Sequence, residues 1–311
     1  MNSPTVSICI PAYNRIVFLE KLLLNIRSQT YKDYEIIITD NSSDEQVKAL
    51  VESKFHELPI RYKKNEPVVS MGENWNECLK LAKGKWIKFM HDDDFFTSLD
   101  SLERFVEATS SNADFIFSAC YEFNNDTGQR YLRTYPANRI SALRRHPALI
   151  LAFNLIGNPS CTFYKNNLGE YFNHHMWMML DIEYYVRVLK KCSYHHIAHP
   201  LVTIGFHAHQ ETNRLHRKPE VEIFEMLTVL TQGNEKIRHI LVYDSYWRLV
   251  RNQEIRKIHQ VEKYARGIPI PDFLKDIILF QSVLPKALLK VGIFSKMAMA
   301  ISYFLYRLRY N

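Results

Sequence analysis

The sequence predicts an α/β fold: a mostly parallel sheet flanked by helices, with a helical appendage at the C-terminal end. Three observations predict it. The first 120 residues alternate short β-branched runs with stretches of helical period. Most of those runs are predominantly apolar, as strands covered on both faces are. The chain from Glu220 onward carries helical period.

Val6-Ser7-Ile8-Cys9-Ile10 reads as a buried strand ending at Pro11, and Phe18 to Ser28 then sets Leu19, Leu22, Leu23 and Ile26 at helical spacing. Glu35 to Asp40 is a second strand, and Asn41-Ser42-Ser43-Asp44 is a capping-type stretch that opens a helix from Glu45 to Phe55. A third strand is expected at Ile60 to Lys63, a helix from Asn74 to Ala82, and strands at Trp86 to Met90 and Phe115 to Cys120. The pattern is less regular after that. Leu201 to Phe206 is strand-like, while Glu220 to Leu230 and Lys236 to Arg266 are helical with charges on one side.

Composition narrows the function classes. The 311 residues, 47% hydrophobic and 23% charged, are globular rather than disordered or collagen-like. Cys9, Cys78, Cys120, Cys161 and Cys192 are odd in number, scattered, and never spaced Cys-x-x-Cys. Neither a disulfide framework nor a zinc ribbon is indicated, and a reducing compartment is. Met1 to Thr5 has no basic segment, and no apolar run reaches the roughly 18 residues of a spanning helix. A cytoplasmic protein, or one peripheral on the cytoplasmic membrane face, is expected. The net charge of +7 would suit nucleic acid, anionic lipid or a phosphorylated substrate. The basic excess lies among apolar helices rather than on an aromatic-studded polar surface, so no nucleic acid partner is expected.

In parallel sheets ligands bind beyond the carboxyl ends of the strands. Tyr13-Asn14-Arg15, Asp40-Asn41 and His91-Asp92-Asp93-Asp94 each follow such an end, so three strand ends converge on one crevice. The acid triplet is the most informative cluster. Adjacent carboxylates repel one another unless solvated or sharing a cation, and their hard oxygens suit Mg²⁺ or Mn²⁺. An ordinary acidic turn capping the next helix is the alternative.

The segments Val6 to Arg15, Tyr34 to Asp44, Gly72-Glu73-Asn74-Trp75-Asn76 with Ala82 to Lys85, and the acids after Met90 resemble, in that order, the inverting family-two glycosyltransferases of the GT-A fold. The resemblance implies residues 1–215 as the nucleotide-sugar transferase domain and residues 216–311 as a helical C-terminal region. It implies that Pro11, Tyr13 and Asp40 surround the nucleotide base, that Arg15 contacts the diphosphate, and that Asp92 faces the ribose or the metal. Asp93, assisted by Asp94, would hold Mg²⁺ or Mn²⁺, with Asp92 and Asp94 as the rival ligand pair, since the family's Asp-x-Asp is preceded here by His91. Asp181, six residues before Arg187, stands where the family places its general base, although Leu180 replaces the usual preceding acid; Glu183 is the runner-up. Gly157-Asn158-Pro159-Ser160 is similar to the loop before the base helix and would line the acceptor side. His209 matches the histidine of an Arg-x-His segment and would add an imidazole to the metal, with His207 where an Arg is common.

The expected activity is therefore metal-dependent glycosyl transfer from a nucleotide sugar, a UDP-sugar by family frequency, to a glycan acceptor in surface polysaccharide biosynthesis. A polyprenyl-diphosphate-linked acceptor would suit the last 40 residues. There Lys275, Lys286, Lys290, Lys296, Arg307 and Arg309 face only Asp272 and Asp276, between apolar aromatic stretches interrupted by Pro285 and Gly292. Two readings stay open for this region: contact with an anionic membrane surface, or packing on the catalytic domain. Two other functions also stay open. A nucleotidyltransferase would usually carry a Gly-rich basic loop after the first strand, where this chain has Pro-Ala-Tyr-Asn-Arg. A non-catalytic nucleotide-sugar-binding protein would tolerate loss of the acids.

Overall fold

The computed structural model describes residues 3–206, 215, 218–233, 237 and 239–310. The chain divides into two units: described residues of 1–141 and 155–210 form the first, those of 142–154 and 211–311 the second.

The first unit is built on β1 (Val6–Ala12), α1 (Ile16–Arg27), β2 (Tyr34–Asp40), α2 (Gln46–Lys54), β3 (Ile60–Lys64), α3 (Met71–Leu81) and β4 (Trp86–Phe89). There follow β5 (Phe95–Phe96), α4 (Ser101–Glu107), β6 (Phe115–Asn124), β7 (Arg130–Arg133), α5 (Ala137–Ala142), β8 (Thr162–Lys165), α6 (Leu180–Lys191) and β9 (Tyr194–Phe206). Among the described residues these strands make one sheet, ordered β3-β2-β1-β4-β8-β6-β9-β5 with β7 beside β6. The strands β3, β2, β1 and β4 are mutually parallel. Beyond β4 the sheet is mixed, because β8 runs antiparallel to both β4 and β6, and β5 antiparallel to β9, while β6 and β9 are parallel. The mostly parallel character is thus a property of the N-terminal half, where helices make the crossovers.

The strand order sets the position of the site. From β1 the chain passes to β2 and β3 on one side, then returns to place β4 on the other. The turning point lies between β1 and β4, the place beyond the strand ends where open parallel sheets bind ligands. The first strand runs through Pro11 to Ala12 rather than ending at Pro11. Cys9 O accepts from Met90 N at 2.9 Å, so the missing N–H of Pro11, two residues on, points to the same β4 side. Paired register with β4 has ended by then, at Cys9 and Phe89, so no ladder bond is lost.

The core is the two-sided packing that the apolar runs require. Ile8, Ile10, Ile36 and Ile38 meet Leu19, Leu22, Leu23 and Ile26 of α1 on one face, all buried. On α3, Ser70 and Glu73 form a reciprocal capping box, with bonds of 3.2 and 2.9 Å, so the helix starts three residues earlier than the spacing predicts. The capping expected from Asn41 to Asp44 takes another form. Glu45 is the cap residue of α2 without a side-chain cap bond, and Asp44 accepts from Gln46 N at 3.1 Å. Asn41 and Ser42 are committed elsewhere: Asn41 to Val69, and Ser42 to Asn14.

The second unit contains α7 (Pro219–Gly233), α8 (Ile240–Asn252), α9 (Ile258–Glu262), α10 (Asp272–Ser282), α11 (Lys286–Lys290) and α12 (Gly292–Tyr310). The helical period expected over Lys236 to Arg266 is carried by two helices, α8 and α9. Glu254 takes φ +50°, Ile255 N bonds Val250 O at 2.9 Å and Glu254 N bonds Arg251 O at 3.2 Å, which closes α8 with a Schellman-type turn. No glycine stands there, so the sequence carried no stop signal. Pro285 and Gly292 do interrupt the C-terminal helices, at the starts of α11 and α12. Trp247, Tyr243 and Tyr246 of α8 fill this unit's interior.

Candidate active site

The three strand ends meet as their order requires. Ala12 lies in register with Asp40, Asn41 N donates to Ala12 O at 3.0 Å, and Asn14 N donates to Ser42 Oγ at 2.8 Å. Asn14 adopts φ +55°, a conformation Asn tolerates better than most residues, and the turn directs Arg15 toward β4. Buried amides underpin this floor: Asn65 donates to Asn74 Oδ1 at 2.8 Å, and Thr39 donates to Asn74 O at 2.9 Å.

Arg15 links the first strand end to the acids. Its Nη2 is 2.5 Å from Asp92 Oδ1 and its Nη1 donates to Asp93 Oδ2 at 2.6 Å. One guanidinium thus serves two carboxylates. Asp94 turns the other way, accepting from Gly205 N at 3.0 Å and from Asn158 Nδ2 at 2.8 Å. Burial pushes the carboxyls of Asp92 and Asp94 up, and the neighbouring acids add to the shift. Among the described residues three acids meet one arginine in a poorly hydrated place, a balance that favours a proton or a cation.

The residues present fit a divalent ion. His91, Asp93 and Asp94 each offer a ligand atom, all within 4.8 Å of one another. Among the described residues His91 Nε2 is buried with no hydrogen-bond partner, and removal from water pushes the imidazole down to about 4, so the ring is neutral at pH 7. Two carboxylates and a neutral imidazole suit Mn²⁺, and the oxygens alone suit Mg²⁺. Sequence reasoning passed over His91 as a ligand; its signal was adjacency to the acids. The imidazole expected from His209, and His207 beside it, lie outside the described residues.

Two further residues escaped the sequence reading. Lys88 of β4 is fully buried, over the rings of Phe96 and Phe105 at 5.4 and 4.7 Å, and its amine bonds the carbonyl oxygen of Ser160. Burial pushes it down to about 7. Lys88 thereby ties down the turn at Pro159–Cys161, whose Ser160 Oγ accepts from His91 N at 2.9 Å. The loop expected to line the acceptor side therefore touches the acidic cluster, through Asn158 and Ser160. The other residue is Gly205. A Cβ there would collide with the carbonyl oxygen of Asp93, so β9 reaches the acids only because position 205 has no side chain. Gly205→Ala is expected to displace Asp93 and weaken Mn²⁺-dependent nucleotide binding at least about tenfold. Calorimetric titration checks this; unchanged affinity would show that the acidic loop yields without consequence.

The remaining sequence candidates are placed as follows. Pro11 is buried within β1, and Tyr13 is 53% exposed at the rim. Asp40 has no accessible surface: Ser42 N and Tyr62 Oη each donate to it at 2.8 Å, and Lys64 Nζ is 3.5 Å away. A nucleotide base reaches Asp40 only if Tyr62 or Lys64 moves aside. Asp181 is half-buried in the first turn of α6, where its Oδ1 accepts from Ile182 N at 2.8 Å. Glu183 is buried and committed to Arg187, at 2.6 Å to Nε and 2.9 Å to Nη2. Aromatic contacts join α6 to the acids: Tyr184 stacks on Phe172 at 4.3 Å, Phe172 meets Trp75 at 5.0 Å, and Trp75 meets His91 at 4.8 Å. Asn76 secures Phe172 through two backbone bonds of 2.8 Å.

Comparison with known proteins covers this site. The family model described as Glycosyl transferase family 2 matches residues 7–183. An uncharacterized protein of Mycobacterium tuberculosis is 27% identical over 225 residues, covering 68% of this chain and 70% of that protein. A GalNAc(5)-diNAcBac-PP-undecaprenol beta-1,3-glucosyltransferase of Campylobacter jejuni is 31% identical over 120 residues, only 38% of each chain. The match thus spans well under two thirds of that transferase. Among solved structures, S. aureus TarS in complex with UDP-GlcNAc gives a TM-score of 0.65 at 14% identity, covering 96% of this chain and 89% of that one. Mannosyltransferase PcManGT from Pyrobaculum calidifontis, in complex with GDP-Man and Mn²⁺, gives 0.55 at 13% identity, covering 99% and 88%. At these identities the likeness is one of fold.

Proposed function

Because this chain belongs to glycosyl transferase family 2 and has a GT-A fold, we propose that it moves a sugar from a nucleoside diphosphate sugar, of which a UDP-sugar is the first candidate, to a glycan hydroxyl with inversion at the anomeric carbon. The observation that carries this reading is the cluster of His91, Asp93 and Asp94, with Arg15 bridging Asp92 and Asp93, beyond the ends of β1 and β4. The UDP-GlcNAc complex of TarS supports the donor class, and the Campylobacter enzyme's name supports a polyprenyl-diphosphate-linked acceptor in surface polysaccharide assembly.

In this reading Tyr13 stacks on the base at the rim, with Pro11 and Asp40 behind it. Asp92 orients Arg15, whose guanidinium turns to the diphosphate and stabilises the charge that develops as the nucleotide leaves. His91, Asp93 and Asp94 would hold Mg²⁺ or Mn²⁺, which supplies positive charge against the departing diphosphate. Asp181 accepts the acceptor hydroxyl proton as the oxygen attacks from the face opposite the nucleotide. Residues 1–215 would contain this machinery, and residues 216–311 would serve peripheral attachment at the cytoplasmic membrane face. Among the described residues no helix is long and apolar enough to cross a membrane.

Titration calorimetry of the full chain with UDP, CDP, GDP and dTDP, with and without Mn²⁺, tests the donor site. One nucleotide is expected to bind with affinity raised at least about tenfold by Mn²⁺. Binding of none of them, with or without the ion, would overturn the reading.

A further inference from the structure

The last helix, α12, has the reverse of an ordinary amphipathic arrangement. Its buried residues are Ser295, Ala298, Met299 and Ser302. Two of these are hydroxyls bonded inward: Trp247 Nε1 donates to Ser295 Oγ at 3.0 Å, and Tyr243 Oη lies 2.8 Å from Ser302 Oγ. The large apolar side chains face water instead. Ile293, Met297, Ile301, Phe304, Leu305 and Leu308 are between 50% and 77% exposed. At 3.6 residues per turn these six fall within an arc of roughly 120°, opposite the buried four. Val283, Leu288 and Val291, just before the helix, are exposed as well.

A continuous apolar stripe of this kind is unfavourable in water, and its rim indicates what covers it. Lys296 and Arg307 fall on one flank of the stripe at the same helical spacing, and Lys286 and Lys290 of α11 are exposed beside Glu254, their shared partner at 2.7 and 3.5 Å. Across the last 40 residues six basic groups face two acidic ones. A second copy docking through the same face would bring like-charged rims together. An anionic lipid surface complements both the stripe and its rim.

The geometry points to the exposed face of α12 as a membrane-docking surface, lying in the plane of an anionic lipid interface with Ile301 and Phe304 at its centre. Its purpose rests on the lipid-linked acceptor proposed above, since docking confines the enzyme to the surface where such an acceptor lies. No bond is made or broken, so affinity for lipid is independent of sugar transfer.

Flotation of the full chain with phosphatidylcholine vesicles, with and without phosphatidylglycerol, tests this, alongside UDP titration of the same samples. The wild type is expected to float with phosphatidylglycerol vesicles and to be partly released by salt. Ile301→Asp with Phe304→Asp is expected to cut the bound fraction about tenfold while Tm and UDP affinity stay unchanged, because both side chains already face solvent. Lys296→Glu should weaken flotation on the anionic vesicles. A wild type that stays unbound, or a double variant that floats equally, overturns the docking surface. So does a wild-type dimer in sedimentation velocity that the double variant dissociates while vesicles go unbound, since a second copy then covers the stripe. Lost flotation with intact UDP binding sinks the surface alone; flotation without UDP binding sinks the donor site alone.

Discussion

Asp93→Asn is expected to lower kcat/KM about 10³-fold, a loss of about 4 kcal/mol of transition-state stabilisation, while the protein stays folded. The side chain accepts from Arg15 Nη1 at 2.6 Å, and an asparagine oxygen keeps that acceptor. What it lacks is the charge. Asp93 is shared between the guanidinium and the His91–Asp94 cluster, so neutralising it would remove an anionic ligand of the proposed ion and part of the negative charge that favours a cation. UDP binding should therefore lose its dependence on Mn²⁺, and the thermal midpoint should change little. Retained Mn²⁺ dependence in the variant would place the ion elsewhere.

Asp181→Asn and Glu183→Gln should separate two acids that the sequence leaves in competition for the role of base. Asp181→Asn is expected to reduce kcat by about 10²- to 10⁴-fold with UDP affinity unchanged, the signature of a lost proton acceptor. Its Oδ1 accepts from Ile182 N, a bond that an amide oxygen can keep. Glu183→Gln is expected to destabilise the fold instead, by about 2–4 kcal/mol, because it puts an uncharged amide against Arg187 in a buried site. Chemical denaturation should show that loss, with turnover per folded molecule near the wild type. If the folded Glu183→Gln protein were inactive and Asp181→Asn active, the two assignments would exchange.

How much of this was legible in the sequence depends on the range of each interaction. The first two strands could be read because burial on both faces leaves runs rich in β-branched residues, and the helix between them because Leu19, Leu22, Leu23 and Ile26 keep a 3.6-residue period. The strand-end residues followed from the same pattern. The capping box of Ser70 and Glu73 is also local, and it starts α3 three residues before the spacing of the apolar residues does. The close of α8 had no signal at all, because Glu254 occupies a turn position that glycine normally marks. Residues 142–154 group with the C-terminal unit through contacts that no local pattern announces.

At the site the division is sharper. Arg15 was expected to face a diphosphate, and the structure shows that it first satisfies Asp92 and Asp93, 77 and 78 residues away. Gly205 looked like an ordinary strand residue, yet it is the backbone partner of Asp94 across 111 positions. Lys88 sat in an apolar strand, and only the fold supplies the carbonyl oxygens that hold its amine.

The sequence by itself determined the α/β class, the family resemblance and the acids at the strand ends, since periodicity and strand-end polarity are local properties. Only the tertiary structure decided which groups compensate the acids, that His91 joins them, that Glu183 is committed to Arg187, and that α12 turns its apolar face outward. Those outcomes depend on which distant segments pack against one another, and a side chain's burial, charge balance and free lone pairs are properties of that packing.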